Sequence, residues 1–188
     1  MAILGKTCTG KTTLLAKFLD HLPEITSECP PITKLLIAYG HYQPIYEEMI
    51  RSIQRDNPQC TDVQMYNGYP EEIFNDTEFW VAPPGMQIMI VLDDINEVKP
   101  SFEKILRGQL HHSNASLFWV SQDSSSESKI VKNSLRQIGY YILTKSSHSG
   151  ILLSHLARLC FMYTPRVLHD AYQLAMTQQK NDFLYDDN

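Results

Sequence analysis

The sequence predicts an α/β fold organised around a mostly parallel sheet. Short apolar runs, typical of buried strands, alternate with segments whose apolar residues recur at helical spacing. The clearest strand is Ile88–Leu92, which is apolar throughout and is therefore expected to be buried on both faces. No internal repeat, low-complexity tract or linker divides the 188 residues. Because this length suits one hydrophobic core, residues 1–188 are predicted to form a single domain.

Strands and helices are predicted in alternation along the chain. The predicted strands are Ile3-Leu4, Leu35–Tyr39, Ile88–Leu92, Ser116–Val120 and Tyr140–Leu143. The predicted helices are Lys11–His21, Pro44–Arg55, Phe102–Leu110, Lys129–Gln137, Ile151–Cys160 and Arg166–Thr177. Pro23 is expected to close the first helix and Pro165 to begin the last. The segment between Arg55 and Ile88 is predicted to be rich in turns, and Phe183–Tyr185 to add an edge strand.

Composition excludes several classes of protein. The chain has 16 Lys and Arg against 21 Asp and Glu, which argues against a basic monomer that coats nucleic acid. A ring with a few basic loops facing inward remains compatible with that charge. No apolar run approaches the roughly 20 residues of a membrane span, and the start lacks a signal-peptide pattern. The four cysteines are widely spaced, as is typical of a reducing compartment, so an intracellular protein without a membrane partner is expected.

The segment Gly5–Thr12 matches the pattern G-x-x-x-x-G-K-[ST] at every fixed position. In this pattern the backbone folds around phosphates, and the following helix directs its positive N-terminal end at them. Lys11 is expected to reach the β- and γ-phosphates and the Thr12 hydroxyl to bind Mg²⁺. The predicted nucleotide-binding residues are Gly5, Lys6, Thr7, Cys8, Thr9, Gly10, Lys11, Thr12 and Thr13.

Two features of this loop are unusual. Cys8 stands where many such loops have a third glycine, so the turn is expected to be less free. The strand before the loop has only four residues counting from Met1, which indicates a shortened start.

Paired carboxylates follow the strongest predicted strand. A buried strand that ends in Asp93-Asp94 has the form of the second half of a P-loop NTPase site. Asp93 is predicted to hold Mg²⁺ through its water shell, and Asp94 to polarise the attacking water. The combination with the phosphate loop predicts a three-layer α/β/α P-loop NTPase fold.

A polar side chain also ends the strand Ser116–Val120. In P-loop ATPases with a separate catalytic carboxylate, an extra strand lies between the loop strand and the acidic strand. The tip of that strand places a polar group near the γ-phosphate. Gln122 is predicted to be this group, which narrows the fold to the additional-strand, RecA-like type.

At these positions the chain resembles the viral genome-packaging ATPases of the FtsK–HerA superfamily, as found in poxviruses and in Polinton/Maverick elements and their adintovirus relatives. The resemblance extends over nearly the whole chain, through the segments Gly5–Thr12, Ile37–Tyr46, Asn67–Pro70, Ile90–Asp94, His111–Asn114, Phe118–Gln122, Ala171-Tyr172 and Asp182–Asp186. It implies a homo-oligomeric ring, with a hexamer favoured, that hydrolyses ATP with Mg²⁺. It further implies that the ring drives double-stranded DNA into a preformed capsid, with a capsid or portal-like protein as partner.

Motors of this kind also need an arginine from a neighbouring subunit to stabilise the charge of the transition state. Polinton-like proteins carry it in a basic stretch after the last core strand, where this chain has His148. Arg136, just before Tyr140–Leu143, fits the poxvirus-like pattern and is the candidate for this role.

Several alternatives remain open beside the packaging motor. Another P-loop ATPase or helicase-like motor would share the same motifs. A degraded element's product, which binds ATP but turns it over slowly or not at all, would explain the shortened start together with His148. A nucleotide kinase is disfavoured because Ile-Asn-Glu, and not arginine, follows Asp94. A GTPase is disfavoured because no Asn-Lys-x-Asp sequence is present.

Other conspicuous residues have ordinary interpretations. The aromatic side chains of Trp80 and Trp119 are interpreted as packing or subunit-contact groups. The tyrosines Tyr39, Tyr42 and Tyr46 have the spacing of the packing face of one element. The lysines Lys129, Lys132 and Lys145 are compatible with a DNA channel, although such a sparse set is more typical of a solvated surface.

Overall fold

The computed structural model describes residues 1–25, 30–95, 99–122, 130, 133–134, 136–144, 153–154, 156–158 and 165–182. In this part of the chain, six strands form one parallel sheet that is flanked by helices. The α/β class and the parallel sheet predicted from the sequence are therefore confirmed. No helix in the described ranges is long and apolar enough to cross a membrane.

The elements follow one another in an alternating order. The strands are β1 (Ala2–Leu4), β2 (Ile32–Tyr39), β3 (Asp62–Asn67), β4 (Gln87–Asp93), β5 (Ala115–Ser121) and β6 (Tyr141–Leu143). The helices are α1 (Lys11–Asp20), α2 (Leu22–Ile25), α3 (Ile45–Asp56), α4 (Glu71–Asn75), α5 (Ser101–Lys104), α6 (Leu110–His112) and α7 (Pro165–Asp182). A π-helical stretch, Ile105–Gln109, joins α5 to α6.

The spatial order of the strands is β3-β2-β4-β5-β1-β6. Strand β5 thus lies between β1 and β4, as the sequence predicts for an additional strand. In the register, Tyr39 is opposite Asp93, Asp93 is opposite Val120, and Leu4 is opposite Ser121. The carboxyl ends of these four strands therefore meet at one edge of the sheet, where ligands of parallel α/β folds usually bind.

Strand β4 lies at the centre of the hydrophobic core, and all of its residues are buried. The side chains of Ile88, Ile90 and Leu92 belong to one core cluster, whereas Met89 and Val91 belong to another. Helices α1 and α3 contribute to the second cluster, and the helical segment after β4 contributes to the first. Burial on both faces, predicted from the uninterrupted apolar run, is confirmed.

The segment predicted to be rich in turns does turn at Gly68 and Gly85, but the prediction missed two elements in it. It contains strand β3 and helix α4. Strand β3 alternates polar and apolar residues only over Asp62–Met65, and none of its residues is fully buried, so its strand pattern is short and weak. It is held by parallel pairing with β2, from Lys34 opposite Asp62 to Tyr39 opposite Asn67. An edge position explains why its composition gave so weak a signal.

The other boundaries differ less from the prediction. Strand β2 begins at Ile32, before the predicted Leu35. Helix α1 ends at Asp20, but Pro23 lies within the short helix α2 and not in a loop. Helix α7 begins at Pro165 as predicted.

Several predictions fall outside the described residues. They concern the edge strand Phe183–Tyr185, four of the nine residues of the helix Lys129–Gln137, half of the helix Ile151–Cys160, and the residues Lys129, Lys132, Lys145 and His148.

Candidate functional site

The phosphate-loop sequence forms a turn between β1 and α1. Two of its residues, Cys8 and Gly10, have left-handed backbone conformations with φ of 61° and 74°. Glycine adopts this conformation without strain, whereas cysteine does not. The expectation that Cys8 makes the turn less free is therefore confirmed by its backbone. At the start of the loop, a Cβ atom on Gly5 would overlap the hydroxyl of Thr144, so only glycine fits there.

Lys11 is the first residue of α1 and is only 8% exposed. Its Nζ donates a hydrogen bond of 2.7 Å to the carbonyl oxygen of Lys6, across the inside of the loop. The ammonium group therefore lies within the turn that the backbone of the loop makes. A cation in this position, beside the N-terminus of a helix, favours anions such as phosphate.

Asp93 is the last residue of β4 and is 2% exposed. Its Oδ2 accepts hydrogen bonds from the Thr12 hydroxyl at 2.8 Å and from the Tyr46 hydroxyl at 2.9 Å. Burial raises the pKa of Asp93 above its ordinary value, while the two hydroxyl donors act in the opposite direction. Burial, followed by the nearby Asp93 charge, likewise raises the pKa of Tyr46, so its phenol stays protonated and acts as the donor.

Asp94 has a different environment from its neighbour. Its side chain is 23% exposed, and its backbone is left-handed with φ of 55°. Oδ1 accepts a hydrogen bond of 2.8 Å from Nε2 of Gln122, and Oδ2 lies 3.5 Å from Nδ1 of His41. The oxygen Oε1 of Gln122 in turn accepts a 2.7 Å hydrogen bond from Thr7. Gln122 therefore connects the phosphate loop to the second carboxylate.

A second set of hydrogen bonds connects the phosphate loop to the end of β6 and to helix α7 through Thr144. The hydroxyls of Thr9 and Thr144 are 2.8 Å apart, and the Thr144 amide donates to the carbonyl of Leu4 at 2.8 Å. The hydroxyl of Tyr172, in α7, donates to the carbonyl of Thr144 at 3.0 Å. The residue that follows β6 thus joins the phosphate loop to the C-terminal helix.

These groups surround a cavity of about 330 Å³ at the carboxyl edge of the sheet. The described residues that line it are Thr7, Cys8, Thr9, Gly10, Lys11, Thr12, Thr13, Gln43, Asp93, Asp94, Val120, Ser121 and Gln122. Most residues predicted for the site are therefore brought together. Among the described residues, Gly5, Lys6 and Arg136 are the predicted ones that do not line the cavity. Arg136 is exposed in a turn before β6.

Sequence reasoning missed three contributors, His41, Gln43 and Tyr46, which lie on or just before the first turn of α3. Tyr46 was assigned to an aromatic packing face, and its ring does stack on Tyr39 with centroids 5.3 Å apart. The hydroxyl contact with Asp93 was not foreseen. Two signals pointed to them: all three lie in Ile37–Tyr46, a segment of the resemblance to packaging ATPases, and they follow the end of β2, which pairs with β4.

The donor set at the cavity fits a hard divalent cation. The Thr12 hydroxyl and the Asp93 carboxylate are 2.8 Å apart, and oxygen atoms of this kind are the ligands that Mg²⁺ prefers. The Lys11 ammonium group and the N-terminus of α1 fit the charge of a phosphate chain.

No protein-family model matches the chain, and no curated protein is significantly similar to it.

Proposed function

We propose that the protein is a Mg²⁺-dependent ATPase. The observation that carries this proposal is the convergence of Lys11, Thr12, Asp93, Asp94 and Gln122 on one cavity. Each residue type suits a separate task in the transfer of a phosphoryl group to water, and the tasks require that the groups lie together. Their separation in sequence makes a chance meeting at one edge of the sheet a poor explanation.

The proposed roles follow from the environment of each group. Lys11 binds the β- and γ-phosphates. Thr12, with Asp93 acting through water, holds Mg²⁺, whose charge offsets that of the phosphates. Asp94 orients the attacking water and accepts its proton, and Gln122 contacts the γ-phosphate. The hydrogen bonds of Gln122 to both Thr7 and Asp94 suit a residue that responds to the nucleotide.

We further propose that hydrolysis drives double-stranded DNA into a capsid. This step rests on the resemblance to packaging ATPases of the FtsK–HerA superfamily. A homo-oligomeric ring, with six subunits favoured, and a capsid or portal-like partner belong to the same proposal. The strand order, with β5 between β1 and β4, is compatible with this class of motor but not specific to it.

The test is ATP hydrolysis by the purified chain with and without double-stranded DNA, with molar mass measured in the same samples. DNA-stimulated turnover by an oligomer, abolished in Lys11→Ala, is the expected result. A monomer that binds ATP without turnover would contradict the motor and support the non-catalytic alternative. Turnover that is unaffected by Lys11→Ala would show that this cavity is not the catalytic site.

Arg136 is proposed to complete the site of a neighbouring subunit. Its exposure in a turn outside the cavity suits a residue that acts on another chain. Arg136→Ala should lower turnover about 10³-fold while ATP binding is retained. Mixing Arg136→Ala with Lys11→Ala should restore part of the activity, since some interfaces then combine an intact loop with an intact arginine. Mixtures that stay as inactive as the separate variants would exclude a role in trans.

A further inference from the structure

The hydroxyl of Tyr46 is buried beside the carboxylate that is proposed to hold Mg²⁺. Tyr46 lies in the first turn of α3 with no exposed surface. Its oxygen is 2.9 Å from Oδ2 of Asp93 and 3.4 Å from the carbonyl oxygen of His41. A phenol has one proton to donate, and the shorter and charge-assisted contact is the stronger one. The hydroxyl therefore donates to Asp93.

The ring of Tyr46 is fixed in place by its aromatic neighbours. It stacks on Tyr39 at 5.3 Å between centroids and meets the ring of Tyr42 edge-on at 6.2 Å. Tyr39 is the last residue of β2, directly opposite Asp93 in the sheet register. The packing of the cluster thus sets where the hydroxyl points, which makes Tyr46 a rigid donor.

Two hydroxyls reach the same carboxylate oxygen, but they are not equivalent. Thr12 lines the cavity, and its oxygen is the proposed ligand of Mg²⁺. Tyr46 is not among the described residues that line the cavity, so its hydroxyl does not compete with Thr12 as a ligand of the cation. Both donors bind Oδ2 of Asp93, so neither of them occupies the other oxygen, Oδ1.

We infer that Tyr46 is a positioning residue for Mg²⁺, which holds Oδ2 of Asp93 so that the carboxylate is oriented toward the cation. This inference rests on the proposed function. Partners of this kind, which bind a ligand and not the metal, commonly change metal affinity by about 10- to 100-fold. A buried donor to a charged carboxylate belongs to the stronger class of hydrogen bonds.

The test is the binding of mant-ATP, a fluorescent ATP analogue, at increasing Mg²⁺ concentrations. Tyr46→Phe keeps the ring and removes the hydroxyl. It should raise the Mg²⁺ concentration needed for half-maximal binding about 10-fold and leave binding in EDTA unchanged. The matched control is Tyr39→Phe, which removes a hydroxyl from the same aromatic cluster without removing the donor to Asp93. It should behave as the wild type.

A double-mutant cycle separates positioning from a general effect on packing. In an Asp93→Asn background, adding Tyr46→Phe should have no further effect on Mg²⁺ dependence if Tyr46 acts through the carboxylate. An unchanged Mg²⁺ requirement in Tyr46→Phe, an equal shift in Tyr39→Phe, or a full further loss in the Asp93→Asn background would each overturn the inference. If wild-type protein bound mant-ATP no better with Mg²⁺ than with EDTA, the proposed function itself would fail.

Discussion

The candidate site has two halves that differ in burial, although Asp93 of one half and Asp94 of the other are neighbours in sequence. The inner half, Lys11, Thr12, Tyr46 and Asp93, is held by helices α1 and α3 and by the end of the central strand. The outer half, Thr7, His41, Asp94 and Gln122, lies on the segments that follow the strands or on the phosphate loop. Asp93 is 2% exposed, whereas the side chain of Asp94 is 23% exposed.

The comparison indicates how one pair of carboxylates can have two tasks. Asp93 is immobilised by two hydroxyls on one oxygen, as suits a group that holds a cation. Asp94 meets an amide and an imidazole at a more open position, as suits a group that must receive a water molecule and its proton. Different environments for adjacent acids are a usual way to assign separate roles. Substitutions that affect the two halves differently test this division.

Of the substitutions that distinguish the two carboxylates, Asp94→Asn should have the largest effect. Removal of a general base typically lowers turnover by about 10²- to 10⁴-fold, and affinity for Mg²⁺–ATP should change by less than about 3-fold. Single-turnover hydrolysis and mant-ATP titration, performed on the same preparation, measure the two quantities. Normal hydrolysis by this variant would remove Asp94 from the chemistry and with it the division of roles.

Asp93→Asn should have a smaller effect on a different quantity. We expect the Mg²⁺ affinity of the nucleotide complex to fall about 10- to 100-fold, a change that Asp94→Asn should not produce. Without metal and nucleotide, the same variant should unfold at a higher temperature, because burial disfavours the charge and raises the pKa of Asp93. Mg²⁺ titration and thermal unfolding check both statements. An equal loss of Mg²⁺ affinity in the two variants would erase the distinction between the halves.

Gln122→Ala should lower turnover about 10-fold, since it removes both the donor to Asp94 and the acceptor for Thr7. Thr7→Val breaks only the second of these contacts and should cost less. Steady-state hydrolysis with saturating ATP compares the two. A greater loss in Thr7→Val than in Gln122→Ala would mean that the loop contact, and not the contact with Asp94, is the important one.

His41→Asn should have the smallest effect, about 2-fold on turnover. The histidine side chain is 79% exposed and lies 3.5 Å from Asp94, and exposed pairs of this kind contribute little. The control is His112→Asn, an exposed histidine outside the described cavity lining. A loss above about 10-fold in His41→Asn alone would show that the outer half is more tightly organised than its exposure indicates.

The sequence predicted those parts of the molecule that have a local pattern. The phosphate loop and the buried run before Asp93 are recognisable without any partner, and both lie where the pattern placed them. Strand β3 could not be found in this way, because its stability comes from pairing with β2. Half of its residues are polar, and none of the six is fully buried.

The missed part of the site has a similar explanation. Tyr46 and Asp93 are 47 positions apart, and their contact exists only because β2 pairs with β4. The prediction that Tyr39, Tyr42 and Tyr46 share the packing face of one element was wrong, because they lie on β2, on the loop after it and on α3. Their rings nevertheless pack together, and Tyr46 stacks on Tyr39. A packing pattern cannot show which polar atom the end of a buried side chain will meet. That information depends on the strand order and register.

One glycine outside the phosphate loop is equally constrained. The amide of Gly40, immediately after β2, donates to the carbonyl of Asp93 at 2.9 Å. A Cβ atom at Gly40 would overlap the carbonyl oxygen of Asp94. In a saturation-mutagenesis survey, even alanine at this position should therefore score as a loss of function. Gly40 would show this sensitivity although it is not among the described residues that line the cavity.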